Sequence, residues 1–308
     1  MDLIESRCRG AFFGCLVGDA LGAPAEFKRR DTFPEIREMI PCQNFGGLPA
    51  GAFTDDGSMM LCLAASISNA GGNQDPLNAL THYREWMLDG YLSSNGHCFD
   101  VGGTIRHAIL AFCGDGRLEA DTADECMAGN GSLMRIAPIP IVFGRKGVVA
   151  WKEGEASSRT THTNDECVWS CGFFSALAGM AIGGATKQSM LDFTRHHYGP
   201  MLSDFEGKTR DEIKTTGYVR HTLEATLWAF FGTNTFEDGL VLIVNMGGDA
   251  DTVGAVFGTL AGAHYGVDAI PSRWRSALLK PEMTEAIFGD LWAVAHKNWP
   301  QTELGRLE

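Results

Sequence analysis

Asn245-Met246-Gly247-Gly248-Asp249-Ala250-Asp251-Thr252 is the stretch that decides how this chain folds. Two carboxylates stand two residues apart, after a glycine pair and before the apolar run from Val253 to Ala263. In that run Val253, Val256, Phe257, Leu260 and Ala261 recur at helical spacing, so one face of a helix is buried and the acids lie at its start. Asp and Thr are good helix caps, and capping is the plain reading of the motif. A cap needs one oxygen side chain, however, and Asp249, Asp251 and Thr252 supply three. Hard divalent cations take such clusters of oxygens.

A second stretch repeats the pattern. Phe53-Thr54-Asp55-Asp56-Gly57-Ser58 precedes another helical run, with Met60, Leu61, Ala64 and Ile67 on one face. If the two helix starts meet in space, Asp55, Asp56, Asp249 and Asp251 converge with Thr54 and Thr252. Such a concentration of negative charge must be neutralised by cations or by protons. Four carboxylates exceed what one Mg²⁺ usually takes from protein and suit a pair of ions.

The 308 residues are 44% hydrophobic, enough for a large core, and carry a net charge of −13. A nucleic-acid-binding role is not expected, because such proteins show basic patches. The nine cysteines are scattered, odd in number and without a Cys-x-x-Cys pair. They read as small core residues of a reduced, cytoplasmic protein, and no Cys/His spacing suggests zinc. Charges near the start interrupt any signal-peptide core. The uncharged stretch from Cys167 to Thr186 is long enough to consider as a membrane span. Its glycines and serines, and the small-residue stripe Val168, Cys171, Gly172, Ser175, Ala176 and Gly179, favour a buried helix packed closely on a neighbour. No membrane contact is expected.

Along the chain, helices are expected over residues 7–22, 54–69, 76–87 and 102–112, from Trp151, through the small-residue stretch, and from Gly217 to Phe231. Residues 28–53 and 89–100 read as loop, 186–216 as surface helix plus loop, and 271–308 as one or two peripheral helices. Gly129-Asn130-Gly131-Ser132 is a glycine-rich turn whose N–H groups could cradle phosphate oxygens. Asn130 and Ser132 could equally cap a helix. No strand pair, repeat or linker is visible. The expectation is an all-α fold, a compact single-domain orthogonal helical bundle over residues 1–308, with its glycine-rich helix starts gathered at one end.

Six motifs then occur in order: Gly18-Asp19-Ala20-Leu21-Gly22 with Glu26, Thr54-Asp55-Asp56, Gly129-Asn130-Gly131-Ser132, Thr161-His162, Gly217-Tyr218 with His221-Thr222-Leu223-Glu224-Ala225, and Gly248-Asp249-Ala250-Asp251-Thr252. Together, over residues 8 to about 265, they resemble the ADP-ribosylglycohydrolases, the group containing dinitrogenase reductase-activating glycohydrolase. The resemblance implies an all-α fold with a cleft holding two Mg²⁺ (or Mn²⁺) ions. It implies metal ligation by Thr54, Asp55, Asp56, Asp249, Asp251 and Thr252, with Glu26 as the family's acid after the first helix. Gly129, Asn130, Gly131, Ser132 and His162 match segments lining the ADP-ribose cleft, and Tyr218 is a candidate aromatic partner for ribose or adenine. Phe99-Asp100-Val101-Gly102 resembles a stretch of the arginine-directed members in which the aspartate lies near the guanidinium. An N-cap role for Asp100 is the alternative.

The implied reaction is removal of ADP-ribose from modified protein side chains, ADP-ribosyl-arginine first among them, with free ADP-ribose as product. It would reverse a cognate ADP-ribosyltransferase, with toxin defence one setting that the sequence does not establish. Catalytic candidates are Glu26, Asp100 and Asp251. Glycosidic cleavage passes through an oxocarbenium-like state and needs a proton for the leaving group, while a planar, permanently charged guanidinium forks onto carboxylate oxygens. The alternatives are a two-metal hydrolase of free ADP-ribose derivatives or nucleotides, and a binding protein of the same fold without turnover. His82, His97, His107 and His264 are read as ordinary core or surface residues, and Cys167 and Cys171 as packing.

Overall fold

A computed structural model of the chain describes residues 1–198 and 205–299. Among them thirteen α-helices follow one another: α1 (Leu3–Gly22), α2 (Asp55–Asn69), α3 (Pro76–Asp89), α4 (Gly103–Asp115), α5 (Pro138–Phe143), α6 (Gly147–Arg159), α7 (Asp165–Ile182), α8 (Lys187–Tyr198), α9 (Val219–Gly232), α10 (Phe236–Val244), α11 (Ala250–Tyr265), α12 (Ser272–Ala277) and α13 (Pro281–Ala295). The described residues form no strand, only the isolated bridges Cys42 to Leu48 and Gly129 to Tyr218. The all-α expectation therefore holds. The expected end of the C-terminal helical region, residues 300–308, and part of the polar stretch, residues 199–204, lie outside the described residues.

The antiparallel pair α1 and α11 forms the centre. Both helices are buried over most of their length, and they meet backbone to backbone along a glycine seam. Gly10 faces Gly262, Gly14 faces Gly258, and Gly18 faces Gly254. A Cβ placed on Gly14 would lie 2.1 Å from the Gly258 carbonyl oxygen, and one on Gly18 would lie 2.0 Å from that of Gly254. Only hydrogen fits there. The seam ends where Gly22 meets Ala250, which brings the C-terminal half of α1 beside the N-terminus of α11.

Around this pair the expected helices appear, with shifted ends. The helix expected to begin at Trp151 begins at Gly147, after the extended Lys146. The apolar run Leu240–Val244, just before the acidic motif, is the end of α10, a helix the sequence reading does not expect, capped at its start by Thr235. The small residues of α7 accept close neighbours as expected: a Cβ on Gly154 of α6 would meet the Cys171 carbonyl oxygen at 2.4 Å, and one on Gly179 would meet Gly144 at 2.7 Å. No described helix is long and apolar enough to cross a membrane. All nine cysteines are free.

Candidate active site

Thr54 and Asp249 occupy the N-cap positions of α2 and α11, yet neither side chain makes a capping bond. The plain capping reading of both motifs thus fails, and their oxygens are left for other partners. For α2 the reason is Asp19, on α1. Its two carboxylate oxygens accept the Thr54 N–H at 2.9 Å, and Oδ2 also accepts the Gly57 N–H at 2.8 Å. A buried acid from another helix thus takes over the orphan donors of α2. The Thr54 hydroxyl is released to donate to Asp56 Oδ2 at 3.2 Å, and Thr252 Oγ1 reaches the same oxygen at 3.3 Å.

The turn into α11 explains the glycine pair before the acids. Gly247 and Gly248 have φ of +67° and +71°, in the left-handed region. A Cβ on Gly248 would lie 2.0 Å from the Thr215 carbonyl oxygen, and one on Gly247 would lie 2.3 Å from that of Lys28. Two loops are stitched to this turn. Gly248 N–H donates to Lys28, Phe27 N–H donates to Gly248, and Asp249 N–H donates to Thr215. Asn130 completes the frame: its side-chain amide donates to Asp249 Oδ2 at 2.6 Å and to Thr222 Oγ1 at 2.8 Å.

The two acidic stretches, separated by nearly two hundred residues in sequence, therefore meet. Carboxylate oxygens of Asp19, Asp56 and Asp251 lie within 4.8 Å of one another, and so do those of Glu26, Asp249 and Asp251. Asp251 belongs to both groups. Neither contains a histidine or cysteine. Glu26 Oε2 and Asp56 Oδ1 are buried and have no hydrogen-bond partner, an expensive arrangement for a protein on its own. An all-oxygen donor set with unpartnered oxygens fits hard divalent cations.

Electrostatics agree. Burial first, and neighbouring acids second, hold Asp55, Asp56 and Asp251 well above the usual carboxylate range. Glu26 is pushed up to about 9 by burial, then by Asp100 and Asp249. Asp100 is pushed up to about 7 by burial, then by Asp19 and Asp249. Asp19 also rises to about 7 through burial, against the lowering effect of its bonds to Thr54 and Gly57. Crowded and buried in this way, the carboxylates favour protonation more than free ones do, and bound cations would act in the opposite direction.

Above the acids opens a cleft of about 490 Å³, lined by Glu26, Phe27, Asp55, Asp100, the start of α4, Gly129, Asn130, Gly131, His162, residues 215–217 and Asp249. The glycine turn is braced from below by Arg135, which is fully buried. Arg135 donates to the carbonyls of Gly131 and Ser157 and to the hydroxyls of Thr160 and Thr161, and its guanidinium stacks 4.6 Å from the Tyr83 ring. It also sits at the C-terminal end of α6, where the helix dipole favours a cation. Burial, then Arg135, pushes His162 down to about 3, so this ring is neutral.

One sequence expectation is corrected. Ser132 does not line the cleft: it is fully buried, accepting from Ser158 Oγ at 2.9 Å and facing Cys171 Sγ at 3.4 Å, because its position in the turn faces the α6 and α7 core. Tyr218 adjoins the cleft-lining Gly217. It stands at the start of α9, with its hydroxyl on Glu166 and its ring edge-on to His221. Phe27, directly after Glu26, lines the cleft. Asp100 is not the cap of α4; that position is Gly102, and Asp100 has φ of +61° and lies in the cleft wall. Asp19 is a functional residue that the sequence reading leaves without a role. Its signal was a lone acid in the otherwise uncharged stretch from Gly10 to Ala25.

Known proteins resemble the chain over nearly its whole length. The family model described as ADP-ribosylglycohydrolase matches residues 1–301. A relative from Pseudomonas putida (strain GB-1), named ADP-ribosylarginine hydrolase Tri1, is 37% identical over 273 residues, covering 87% of this chain and 73% of its own. The ADP-ribosyl-[dinitrogen reductase] glycohydrolase of Rhodospirillum rubrum is 32% identical, covering 89% of this chain and 91% of its own. A solved structure titled ADP-ribosylglycohydrolase-related protein complex superimposes with a TM-score of 0.82 at 36% identity, covering 96% of this chain and all of that one. With its helical fold and the acids of α1, α2 and α11 gathered under one cleft, the chain belongs to the ADP-ribosylglycohydrolase family.

Proposed function

We propose that this protein hydrolyses the bond between ADP-ribose and a modified arginine side chain, releasing ADP-ribose and restoring the arginine. The carrying observation is the convergence of Glu26, Asp55, Asp56, Asp100, Asp249 and Asp251 at one end of a cleft whose other wall is backbone-rich. The hydrolase names of the relatives from Pseudomonas putida and Rhodospirillum rubrum support the same reading. We take residues 1–308 as one functional unit working in the cytoplasm against a cognate ADP-ribosyltransferase.

Asp56, Asp249 and Asp251, with Thr54, Asp55 and Thr252 beside them, would hold two Mg²⁺ or Mn²⁺ ions. Bound there, the ions would supply charge neutralisation and Lewis acidity. The chain's own groups do the rest. Gly129, Gly131 and the first turn of α4, which has no side-chain cap, offer N–H groups to the anionic diphosphate. His162, neutral and fully buried, fixes the wall beside Gly131 without adding charge. Asp100 faces the guanidinium. Glu26 Oε2, buried and unpartnered, is placed to hold a proton and exchange it with water or with the departing nitrogen. In the net reaction the ribose–nitrogen bond breaks, the elements of water divide between the two products, and no oxidant or reductant is needed.

The test is incubation of the purified protein with arginine- and serine-ADP-ribosylated proteins, with Mg²⁺ or with EDTA, followed by mass spectrometry. Release from arginine in Mg²⁺ and none in EDTA is expected. Faster release from serine than from arginine would overturn the acceptor assignment.

A further inference from the structure

We propose that Phe27, backed by Phe45 and Phe99, is the platform on which the acceptor guanidinium lies, and so determines specificity for arginine. The inference deepens the reading above and rests on it. Phe27 is 71% exposed although it lines the cleft, directly after Glu26. It is held in place all the same. Its N–H donates to the Gly248 carbonyl at 2.7 Å, and its backbone is left-handed, with φ of +61°. Its ring meets Phe45 edge-on at 6.2 Å, and Phe45 meets Phe99 at 5.4 Å. Phe99 precedes Asp100, and the Asn44 amide beside Phe45 donates to the Glu26 carbonyl at 3.3 Å. Three loops thus lock together into one aromatic cluster, next in sequence to the carboxylates Glu26 and Asp100.

Charge decides what that face takes. Asp19, Glu26, Asp55, Asp56, Asp100, Asp249 and Asp251 make seven carboxylates in and under this end of the cleft. With Glu26 holding its proton, two divalent ions set four positive charges against the other six carboxylates and leave an excess of negative charge. A flat cation fits an aromatic face flanked by acids: the ring quadrupole and the carboxylates attract it together. Adenine is also flat, but it is neutral, so the ring and the carboxylates together do not attract it as they attract a cation.

Two measurements test this with the metal-loaded protein, comparing wild type, Phe27→Ala and Phe27→Tyr. The first is steady-state hydrolysis of an arginine-ADP-ribosylated peptide, with free ADP-ribose as competing product. Phe27→Ala is expected to raise KM about tenfold, the size of one cation–π contact, with the inhibition constant of ADP-ribose within twofold of wild type. Phe27→Tyr should behave as wild type, and because residue 27 is exposed the melting temperatures should coincide. An unchanged KM, or a parallel rise in the ADP-ribose inhibition constant, overturns the proposal; the second result would place the adenine or ribose on Phe27. The second measurement is titration with agmatine, a plain guanidinium probe, which needs no turnover. Binding to wild type that is lost in Phe27→Ala supports the platform; no binding, or equal binding to both, refutes it. If wild type binds agmatine through Phe27 yet releases nothing from modified arginine, the error lies in the proposed reaction and not in the platform.

Discussion

Adding one methyl group to Gly18 should damage this protein, whereas adding one to Gly114 should help it. The Cβ of Gly18→Ala would stand 2.0 Å from the Gly254 carbonyl oxygen, about 1.4 Å short of ordinary contact, which begins near 3.4 Å. The obstacle is backbone on both sides, so no side chain can swing away. α1 and α11 must part, or one must slide. Overpacking a core typically costs about 1–3 kcal/mol, partly offset by about 1 kcal/mol from replacing glycine by alanine within a helix. Because the clash is with backbone, the upper half of that range applies, and a net loss of about 1–2 kcal/mol is expected. The functional loss should be larger than stability explains, because the seam sets Asp19 and Asp251 side by side. A displacement of about 1 Å in a reacting constellation can cost on the order of a hundredfold in rate. Gly114, on α4, has nothing within 4 Å of its would-be Cβ. Gly114→Ala should therefore stabilise by about 0.5–1 kcal/mol. Urea denaturation of both variants reads the stability, and kcat reads the geometry. Equal midpoints for the two variants, or Gly18→Ala with wild-type kcat, would refute the backbone-contact account of the centre.

Asp251→Ala should abolish hydrolysis, since Asp251 is the acid common to both carboxylate groups; the metal-free variant should melt no lower than metal-free wild type, because losing a like charge relieves repulsion. Near-normal turnover at saturating metal, or a collapsed melting temperature, would count against this. Asp100→Ala should cut arginine-directed release by on the order of a hundredfold while a Mn²⁺ titration stays close to wild type; full activity would reduce Asp100 to a loop residue. His162 sets an acid limit on stability: its folded value of about 3 lies below the ordinary 6.5, so between these pH values the unfolded chain binds the extra proton. That contribution is complete above about pH 6.5 and drains away as pH falls toward 3. The difference in stability between wild type and His162→Gln, followed from pH 7 to pH 4 by urea denaturation, should therefore shrink with acidity; a constant difference would contradict a buried neutral ring.

Much of this was legible in the sequence because its signals are local. Helical spacing and caps are written within a dozen residues, so the starts at Asp55 and Ala250, and the acids on them, could be found without a structure. α10 escaped because Leu240 to Val244 is apolar at every position and carries no period. The glycine seam escaped because its partners, such as Gly10 and Gly262, lie at opposite ends of the chain. Asp19 escaped for the same reason: its work is to cap a helix that starts 36 residues later, at Asp55. Within the glycine turn, alternate residues face opposite ways. Asn130 reaches Asp249 while Ser132 enters the core, and the sequence does not say which side faces the cleft. Nor does the sequence show that the Tyr218 hydroxyl is held by Glu166, 52 residues away. Phe27, in a stretch read as loop, has only its neighbour Glu26 to recommend it.

The claim on which the account turns is that Asp251 stands between two cation sites made of oxygens alone. Diffraction from crystals soaked in Mn²⁺, collected for the anomalous signal, measures this directly. Two peaks are expected, both within the group Thr54, Asp55, Asp56, Asp249, Asp251 and Thr252, with Asp251 between them. A single peak, or an ion held by a histidine, would contradict it.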